Sequence, residues 1–237
     1  MNRRDYLGAV AGLATVPIAG CSTGVGEVPA PAFPESRMDG WTRIEERVET
    51  VFEEDVGGAT IEGKAHAVVH EDEQLRSDVE AAIGGLDHPV ATLAASRVVF
   101  SGGIGGWDGT DTGVAERIEA AARERYESRL REAGVENIER TSAETVTVES
   151  GAKARYRRYA ADLSLDIGAV AVGSIPVVGD LATWRAEESS LIVGAAYPAE
   201  SLSATIERGG GDASGVDTGF NAESYRSDVR AIVVAIE

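Results

Sequence analysis

Residues 59–70 read Ala-Thr-Ile-Glu-Gly-Lys-Ala-His-Ala-Val-Val-His, and this alternation of small or apolar residues with polar ones is the clearest indication of fold class. An alternation with a period of two is typical of a β-strand that has one buried face. Residues 41–52 also fit the spacing of a helix, but we predict a strand there, which leads into a hairpin at Gly57-Gly58. The folded part of the chain therefore begins with two neighbouring strands.

Elements farther along the chain are predicted from the same kinds of signal. Helical spacing or capping residues mark residues 72–84, 111–134 and 221–236. Strand patterns or buried apolar segments lie at residues 90–100, 145–149, 152–166 and 189–197. Because the strands come in consecutive runs and do not alternate strictly with helices, we predict an α+β fold. The expected architecture is a single domain whose largely antiparallel sheet is packed by three to four helices.

The first 21 residues have the composition of an export signal. Arg3-Arg4 is followed by an uncharged apolar run over residues 7–20 and then by Cys21. A helix that spans a bilayer needs about 20 residues, so this run is too short to be one. Basic, apolar and small-residue regions in this order form a secretory signal peptide, which we predict over residues 1–20. Arg3-Arg4 before Tyr6-Leu7 resembles the twin-arginine export consensus.

The residues around the cleavage point indicate a lipid anchor. Ile18-Ala19-Gly20-Cys21 resembles a lipobox, in which the cysteine thiol receives a diacylglyceryl group before cleavage. Cys21 is also the only cysteine of the chain, so lipidation would leave no free thiol. The alternative is an uncleaved N-terminal helix with an ordinary buried cysteine. We predict an exported protein that a two-chain lipid anchors to the outer face of the cytoplasmic membrane, at the cell surface.

The chain after the leader divides into a tether and one domain. Residues 21–40 contain the lipidated cysteine and three prolines, which predicts a flexible tether. At roughly 3 Å per residue, an extended tether would lift the domain about 50 Å from the lipid. Residues 41–237 have the length of one globular α+β domain. An apolar stretch at residues 167–178 is short, and Gly168, Gly173 and Pro176 interrupt it.

Charge is the strongest feature of the composition. Asp and Glu number 40 against 22 Lys and Arg, which gives a formal net charge of −18, and Lys64 and Lys153 are the only lysines. This acidic, lysine-poor composition resembles that of proteins from extreme halophiles. At 1 M salt the Debye length is about 3 Å, so repulsion between carboxylates is muted. We expect loss of structure below molar salt, and no binding of nucleic acid, because no basic patch offsets the negative charge.

The leader and the acidity together resemble those of haloarchaeal surface lipoproteins that are exported by the twin-arginine route and carry uncharacterised domains. Residues 191–198, Leu-Ile-Val-Gly-Ala-Ala-Tyr-Pro, and the Arg/Tyr-rich strand at residues 155–159 extend this resemblance. It implies export of a domain that has already folded in a salt-rich cytoplasm. It supplies no catalytic motif.

Histidines and loop carboxylates are the candidates for metal ligands. On the predicted strand, His66 and His70 are four residues apart, or roughly 13 Å, which is too far for one metal ion. We therefore predict that both are surface or strand-edge residues and that His88 is a turn residue. The acidic residues of the glycine-rich loops do not match the spacing of a calcium loop. We predict no metal site and no cofactor.

Three aromatic residues are candidate ligand contacts. Trp107 lies in the loop Gly-Gly-Ile-Gly-Gly-Trp-Asp-Gly at residues 102–109, which lacks the lysine of a phosphate-binding P-loop. Tyr156 and Tyr159 lie in Arg-Tyr-Arg-Arg-Tyr at residues 155–159, a local positive patch. Arginines beside aromatic rings could bind an anionic sugar or a lipid head group. The simpler interpretation is that they neutralise acidic residues on an exposed sheet face.

These observations favour a binding domain over an enzyme. We predict a membrane-anchored surface lipoprotein whose domain binds an envelope protein or a small ligand without catalysis. The alternative is an envelope-associated hydrolase with a carboxylate or serine centre, and a third possibility is a structural spacer. A pocket that gathers histidines with carboxylates would favour the hydrolase. A closed core with an exposed apolar face would favour binding.

Overall fold

The computed structural model of the protein describes residues 27–56, 59–83, 89–101, 112–167, 170–186, 189–201, 203–204, 207 and 219–237. Its centre is one seven-stranded sheet in the order β1-β2-β3-β7-β6-β5-β4, and every neighbouring pair is antiparallel. The strands are β1 (Trp41–Val56), β2 (Ala59–Asp72), β3 (Thr92–Ser101), β4 (Val135–Thr147), β5 (Lys153–Ile167), β6 (Val170–Ala186) and β7 (Ser189–Pro198).

Two runs of consecutive strands build this sheet. The first run is β1-β2-β3 and the second is β4-β5-β6-β7, and pairing of β3 with β7 joins them. The predicted hairpin residues Gly57-Gly58 lie outside the described residues, but Val56 pairs with Ala59 on either side of them. The two edges of the sheet are therefore β1 and β4.

Three helices have their bounds within the described part of the chain: α1 (Glu73–Ile83), α2 (Thr112–Glu132) and α3 (Ala222–Val233). Each overlaps a predicted helix. The Asn221 side chain accepts hydrogen bonds from the backbone N–H groups of Glu223 and Ser224, so the predicted cap of α3 is confirmed. The predicted cap of α2, Asp111, lies outside the described residues.

The predicted fold class, α+β with three to four helices packed on the sheet, is wrong. The described chain is richer in strand than that class, with one fully antiparallel seven-stranded sheet and three helices. Two long strands account for much of the difference. β4 was expected only at residues 145–149, because its exposed edge position requires no alternating apolar face. β6 crosses the glycines and proline that interrupt residues 167–178 in sequence.

Pro176 is accommodated in β6 because the pairing with β7 ends beside it. The last pair on that side joins Val177 to Pro198, and the backbone N–H of Ala199 then donates to the Pro176 carbonyl oxygen. A proline inside a sheet removes one backbone donor and is tolerated where a ladder ends. The residue type that suggested a break in the sequence therefore marks the end of one ladder within a continuous strand.

The sheet has a hydrophobic core on each face, and we name each face by the helix that covers it. The α3 face is covered by α1, α3 and the N-terminal segment, and its core includes buried side chains of β3, β5, β6 and β7. The α2 face has a smaller core beneath α2, which contains Leu130, Val135, Ala161, Ile175 and Val177. Residues that alternate along each strand therefore supply two opposite cores.

Tyr126 of α2 packs against the sheet at two glycines, Gly179 and Gly194. Its hydroxyl group donates to the Ala195 carbonyl oxygen over 2.6 Å. A Cβ atom at Gly179 would lie 2.5 Å from the Tyr126 hydroxyl oxygen, and one at Gly194 would lie 2.9 Å from ring atom Cε2. Glycine at both positions therefore makes the groove that receives the tyrosine ring.

The N-terminal segment, residues 27–40, packs on the α3 face, although the sequence assigned it to a flexible tether. Val28 is 3% exposed, and its carbonyl oxygen lies 2.8 Å from His66 Nδ1. Ala32 exchanges two backbone hydrogen bonds with Glu237, next to the C-terminal end of the chain. The folded domain therefore begins by Val28. Residues 21–26 of the predicted tether lie outside the described part of the chain.

Candidate functional site at the β4–β5 edge

The arginine- and tyrosine-rich segment of β5 divides its side chains between the two faces of the sheet. On the α3 face, Arg158 donates to Asp180 of β6 through Nε over 2.9 Å. The Tyr197 hydroxyl group donates to the same carboxylate over 2.7 Å. Asp180 is only 1% exposed, so this buried carboxylate is satisfied by one cation and one hydroxyl group. Its partners come from the strands on both sides of β6.

A second buried contact of the same kind joins α3 to the end of β2. The Tyr225 hydroxyl group donates to Asp72 over 2.7 Å, and the Tyr225 ring lies 5.6 Å from that of Tyr197. Burial raises the pKa values of Tyr197 and Tyr225, and the neighbouring carboxylates of Asp180 and Asp72 raise them further. Both phenols therefore remain protonated donors at neutral pH and hold elements together.

Arg155 and Arg157 lie on the α2 face, where both meet Glu119 of α2. Arg157 forms a short charge-assisted hydrogen bond with Glu119, and its side chain is 10% exposed. Arg155 Nε lies 4.0 Å from the same carboxylate, and the Arg155 side chain is 68% exposed. Arg157 is therefore fixed by its partner, whereas the Arg155 guanidinium reaches into solvent.

A shallow depression of about 210 Å³ lies at this end of the sheet, between β4 and β5. It is lined by Ala143, Glu144, Thr145, Arg155, Tyr156 and Arg157. Next to it, Arg230 of α3 donates to Glu144 over 2.7 Å, and the Arg230 guanidinium lies 5.0 Å from the Tyr156 ring centre. The charged side chains in and beside the depression are therefore the guanidinium groups of Arg155, Arg157 and Arg230 and the carboxylates of Glu119 and Glu144. They give a local positive excess in a chain whose net charge is −18.

The predicted ligand contacts Tyr156 and Tyr159 are each 1% exposed, and they lie on opposite faces. Arg230 and Arg158 flank the Tyr156 ring, whereas the Tyr159 ring lies 5.6 Å from Tyr126 of α2. A ligand could reach either ring only after its neighbours move. The arginines beside them do neutralise acidic residues, but on two covered faces and not on one exposed face. Trp107 lies outside the described residues.

His66 and His70 lie on β2, as predicted, but they are not strand-edge residues, because β2 is an internal strand, and both are half-buried and not fully on the surface. His66 lies between the Val28 carbonyl oxygen and Glu46, whose carboxylate is 2.9 Å from Nε2. That hydrogen bond lowers the pKa of Glu46. The Phe33 ring covers His70, and burial, together with the charge of Arg43, lowers the His70 pKa. These histidines fasten the N-terminal segment to the sheet.

The described residues include no group of three or more His, Cys, Asp or Glu side chains that could hold a metal ion. Among the same residues, no helix is both long enough and apolar enough to cross a membrane. His88, the export-signal residues Arg3 and Arg4, the lipobox residues Ile18, Ala19 and Gly20, and Cys21 all lie outside the described part. Their assignments remain predictions.

The sequence located the arginines of β5 but not the charged residues around them. Glu119 and Asp180 pair with these arginines, whereas Glu144 and Arg230 pair with each other beside Tyr156. These four residues are distributed over α2, β4, β6 and α3. With 40 acidic residues in the chain, distance along the sequence selects none of them. One weak signal existed for Asp180, an isolated charge within the apolar and small residues at 175–182. A buried charge there requires a partner.

Comparisons with known proteins identify a family but no function. A family model described as a domain of unknown function, DUF6517, matches residues 30–237. No curated protein matches the sequence. One solved structure, the Ran-binding protein Mog1p of Saccharomyces cerevisiae, is similar over 81% of this chain and 95% of its own chain, with 13% identity and a TM-score of 0.35. A likeness at that TM-score supports no conclusion about function.

Proposed function

Because the chain belongs to the family described as a domain of unknown function, DUF6517, its role has to be argued from its own residues, and we propose a lipid-anchored binding domain of the cell envelope. In this proposal the protein is a haloarchaeal lipoprotein exported by the twin-arginine route. Cys21 attaches it to the outer face of the cytoplasmic membrane, and the β4–β5 edge binds an anionic ligand or an acidic partner. The domain acts by binding and not by catalysis.

The position of the fold relative to Cys21 supports the anchor. The first buried side chain among the described residues is Val28, and the family match begins at residue 30. Cleavage before Cys21 would therefore leave every described contact in place. Because residues 27–40 pack on the domain, only residues 21–26 of the predicted tether at 21–40 would remain between the lipid and the fold.

The single observation that carries the binding proposal is the exposed guanidinium of Arg155 in a locally positive depression. In molar salt, long-range attraction is screened within a few ångströms, so recognition must rely on direct contact. An arginine suits this because its planar group can donate two parallel hydrogen bonds to one carboxylate or phosphate. Arg157 and Arg230 are already paired, which leaves Arg155 as the residue best placed to meet a ligand.

The interior chemistry supports binding over the alternative of a hydrolase. The described carboxylates with 8% exposure or less, Asp72 and Asp180, both accept hydrogen bonds from tyrosines. A general base needs an accessible lone pair directed at a substrate. These carboxylates instead join helices and strands to one another.

The anchor is tested by mass spectrometry of the intact protein from membranes of the native host or a halophilic expression host. We expect the wild type to begin at a diacylglycerol-modified Cys21 and to sediment with membranes. The Cys21→Ser variant should lack the lipid and enter the soluble fraction. A wild-type protein that retains residues 1–20 and carries no lipid would exclude the anchor.

The binding edge is tested by a photoreactive amino acid at Thr145 in intact cells at native salt. We expect a crosslinked product that Arg155→Gln reduces at least several-fold. The matched control is Arg131→Gln, because Arg131 is also strongly exposed, at 59%, and paired to a glutamate, but lies on α2. Equal crosslinking in the two variants, or none in the wild type, would rule out this edge as the binding site.

A further inference from the structure

Two large hydrophobic side chains of the described residues are strongly exposed, and both lie on the edge strand β1. Val48 is 57% exposed and Val51 is 40% exposed. Val48 pairs with His66 in the β1–β2 ladder, and Val51 falls within the bulge between Thr50 and Phe52. The only apolar surface of this kind in the described part of the chain therefore lies at one end of the sheet.

The same place is where the chain leaves the folded domain toward Cys21. Val28 contacts His66, and paired residues of neighbouring strands lie about 5 Å apart, so Val48 is close to the point where the N-terminal segment enters the fold. Val28 is seven positions after Cys21, and a fully extended chain spans at most about 25 Å over that length. A lipid at Cys21 would therefore hold this corner of the domain near the bilayer.

We infer that the β1 edge, with Val48 and Val51, rests on the surface of the membrane that holds the anchor. This inference depends on the lipid anchor proposed above. Six interstrand spacings of about 4.8 Å separate β1 from β4, so the β4–β5 edge lies roughly 29 Å farther out. The sheet then has one edge toward the lipid and the opposite edge toward the envelope.

A lipid surface suits this edge better than a protein partner. A specific protein interface buries roughly 800 Å² on each side, far more than two partly exposed valines supply. A partner strand is also disfavoured, because β1 has register shifts at residues 43–45 and 50–52 and many charged side chains. The anchor itself supplies the attachment, so a small apolar contact suffices to orient the domain.

The charge of β1 determines which membrane conditions favour the contact. Among residues 43–53, Glu45, Glu46, Glu49 and Glu53 outnumber Arg43 and Arg47. An anionic bilayer would repel this edge at low ionic strength, whereas molar salt would screen the repulsion. The contact should therefore be tightest on zwitterionic vesicles. On anionic vesicles we expect it to form only in molar salt.

The test uses the lipidated full-length protein in phosphatidylcholine vesicles with bromine on the upper acyl chains, in molar KCl. Val48→Trp and Val51→Trp place a fluorophore on β1. Ser142→Trp is the matched control, because it is exposed on β4 and shares the α3 face with Val48. After the wild-type signal is subtracted, we expect bromine to quench the β1 tryptophans at least threefold more than the β4 tryptophan.

Flotation with the vesicles and the intact mass separate the two proposals. If the variants carry the lipid, float and show native circular dichroism, equal quenching at both edges overturns the orientation but leaves the anchor intact. Stronger quenching at Ser142→Trp would show the opposite orientation. If the protein carries no lipid and does not float, the proposed anchor fails and this inference fails with it.

Discussion

At the scale of single residues, the most constrained group is the Asp180 carboxylate. It lies on β6, between β5 and β7, and is 1% exposed. It accepts hydrogen bonds from both Arg158 and Tyr197. Removing a charge from water is costly, and the cost is recovered here by a guanidinium and a phenol that come from the two neighbouring strands. One side chain therefore fixes the relative positions of β5, β6 and β7.

Replacing Asp180 by alanine should strongly destabilise the fold. The change leaves the Arg158 charge without its partner, and breaking a buried ion pair in this way costs about 3–5 kcal/mol. Denaturant unfolding at constant molar salt would measure the loss. As a control, Arg155→Ala removes a mostly exposed arginine and should cost no more than about 1 kcal/mol. Similar losses for the two variants would contradict a structural role for Asp180.

The tyrosines make a prediction about alkaline pH. Burial raises the pKa of Tyr126, Tyr156, Tyr159, Tyr197 and Tyr225, which are all the tyrosines outside the leader. An unfolded tyrosine ionises near pH 10, so above about pH 10 the unfolded state loses protons that the folded state keeps. The stabilisation is complete below pH 10 and declines as the pH rises further.

Absorbance near 295 nm during a titration would follow this ionisation. We expect no normal tyrosine titrating at pH 10, and then a single step that coincides with loss of the circular dichroism signal. Guanidinium-unfolded protein is the reference, and there the five phenols should ionise together near pH 10. A phenol that titrates normally while the fold is intact would show that its ring is accessible.

At the scale of elements, the docking of α2 depends on residues that have no side chain. Gly179 of β6 and Gly194 of β7 leave room for the Tyr126 ring, and the Tyr126 hydroxyl group donates to Ala195. The helix itself is strongly charged, so its attachment depends on a few apolar positions and on this tyrosine. The Tyr126 ring, together with the Glu119–Arg157 ion pair and the apolar core beneath α2, therefore positions the connection between β3 and β4.

The two glycines should respond differently to a second mutation. An added Cβ at Gly179 meets mainly the Tyr126 hydroxyl oxygen, at 2.5 Å, whereas at Gly194 it meets the ring, at 2.9 and 3.0 Å. Each alanine variant should cost about 1–3 kcal/mol, as overpacking does. Adding Tyr126→Phe removes the hydroxyl group, so it should relieve Gly179→Ala but not Gly194→Ala. A double-mutant cycle of unfolding free energies measures this, and equal coupling at both glycines would contradict the geometry.

At the scale of the whole molecule, the negative charge has the largest influence on how stability depends on the solvent. A net charge of −18 destabilises a compact state through self-repulsion unless salt screens it. The described acidic residues are mostly exposed, and many pair with arginines of the same helix or of another segment. Such exposed pairs contribute little individually, so they do not replace screening.

We therefore expect the folded circular dichroism spectrum in molar KCl and its loss in dilute buffer. The variant Glu136→Gln/Glu139→Gln, which removes two exposed charges from β4, should unfold at a lower salt concentration than the wild type. Sucrose at matched water activity is the control, because it favours compact states without screening charge. A full native spectrum in dilute buffer would refute the halophilic interpretation.

Features that depend on residues close together in the sequence were predicted correctly, and features that depend on distant residues were missed. The cap Asn221 and the helix after it were predicted because both signals are short-range. The Asn221 side chain binds backbone N–H groups within four residues, and the apolar spacing of the helix extends over twelve residues. The alternation at residues 59–70 identified β2 for the same reason. β4 was mostly missed, since an exposed edge strand buries little and so needs no pattern. The partners of the β5 arginines, Glu119 and Asp180, were missed because the packing of α2 and β6 against β5 selects them from 40 acidic residues.

The acidic charge, most of the strands, the approximate ends of the helices and the signals for an anchor at Cys21 can all be read from the sequence. These properties depend on composition or on neighbours along the chain. The three-dimensional fold is needed to show that residues 27–40 pack on the domain, that Asp180 pairs with Arg158, and that Val48 lies near the start of the fold. Each of these depends on strand order, which brings together residues far apart in the chain and which no local pattern specifies.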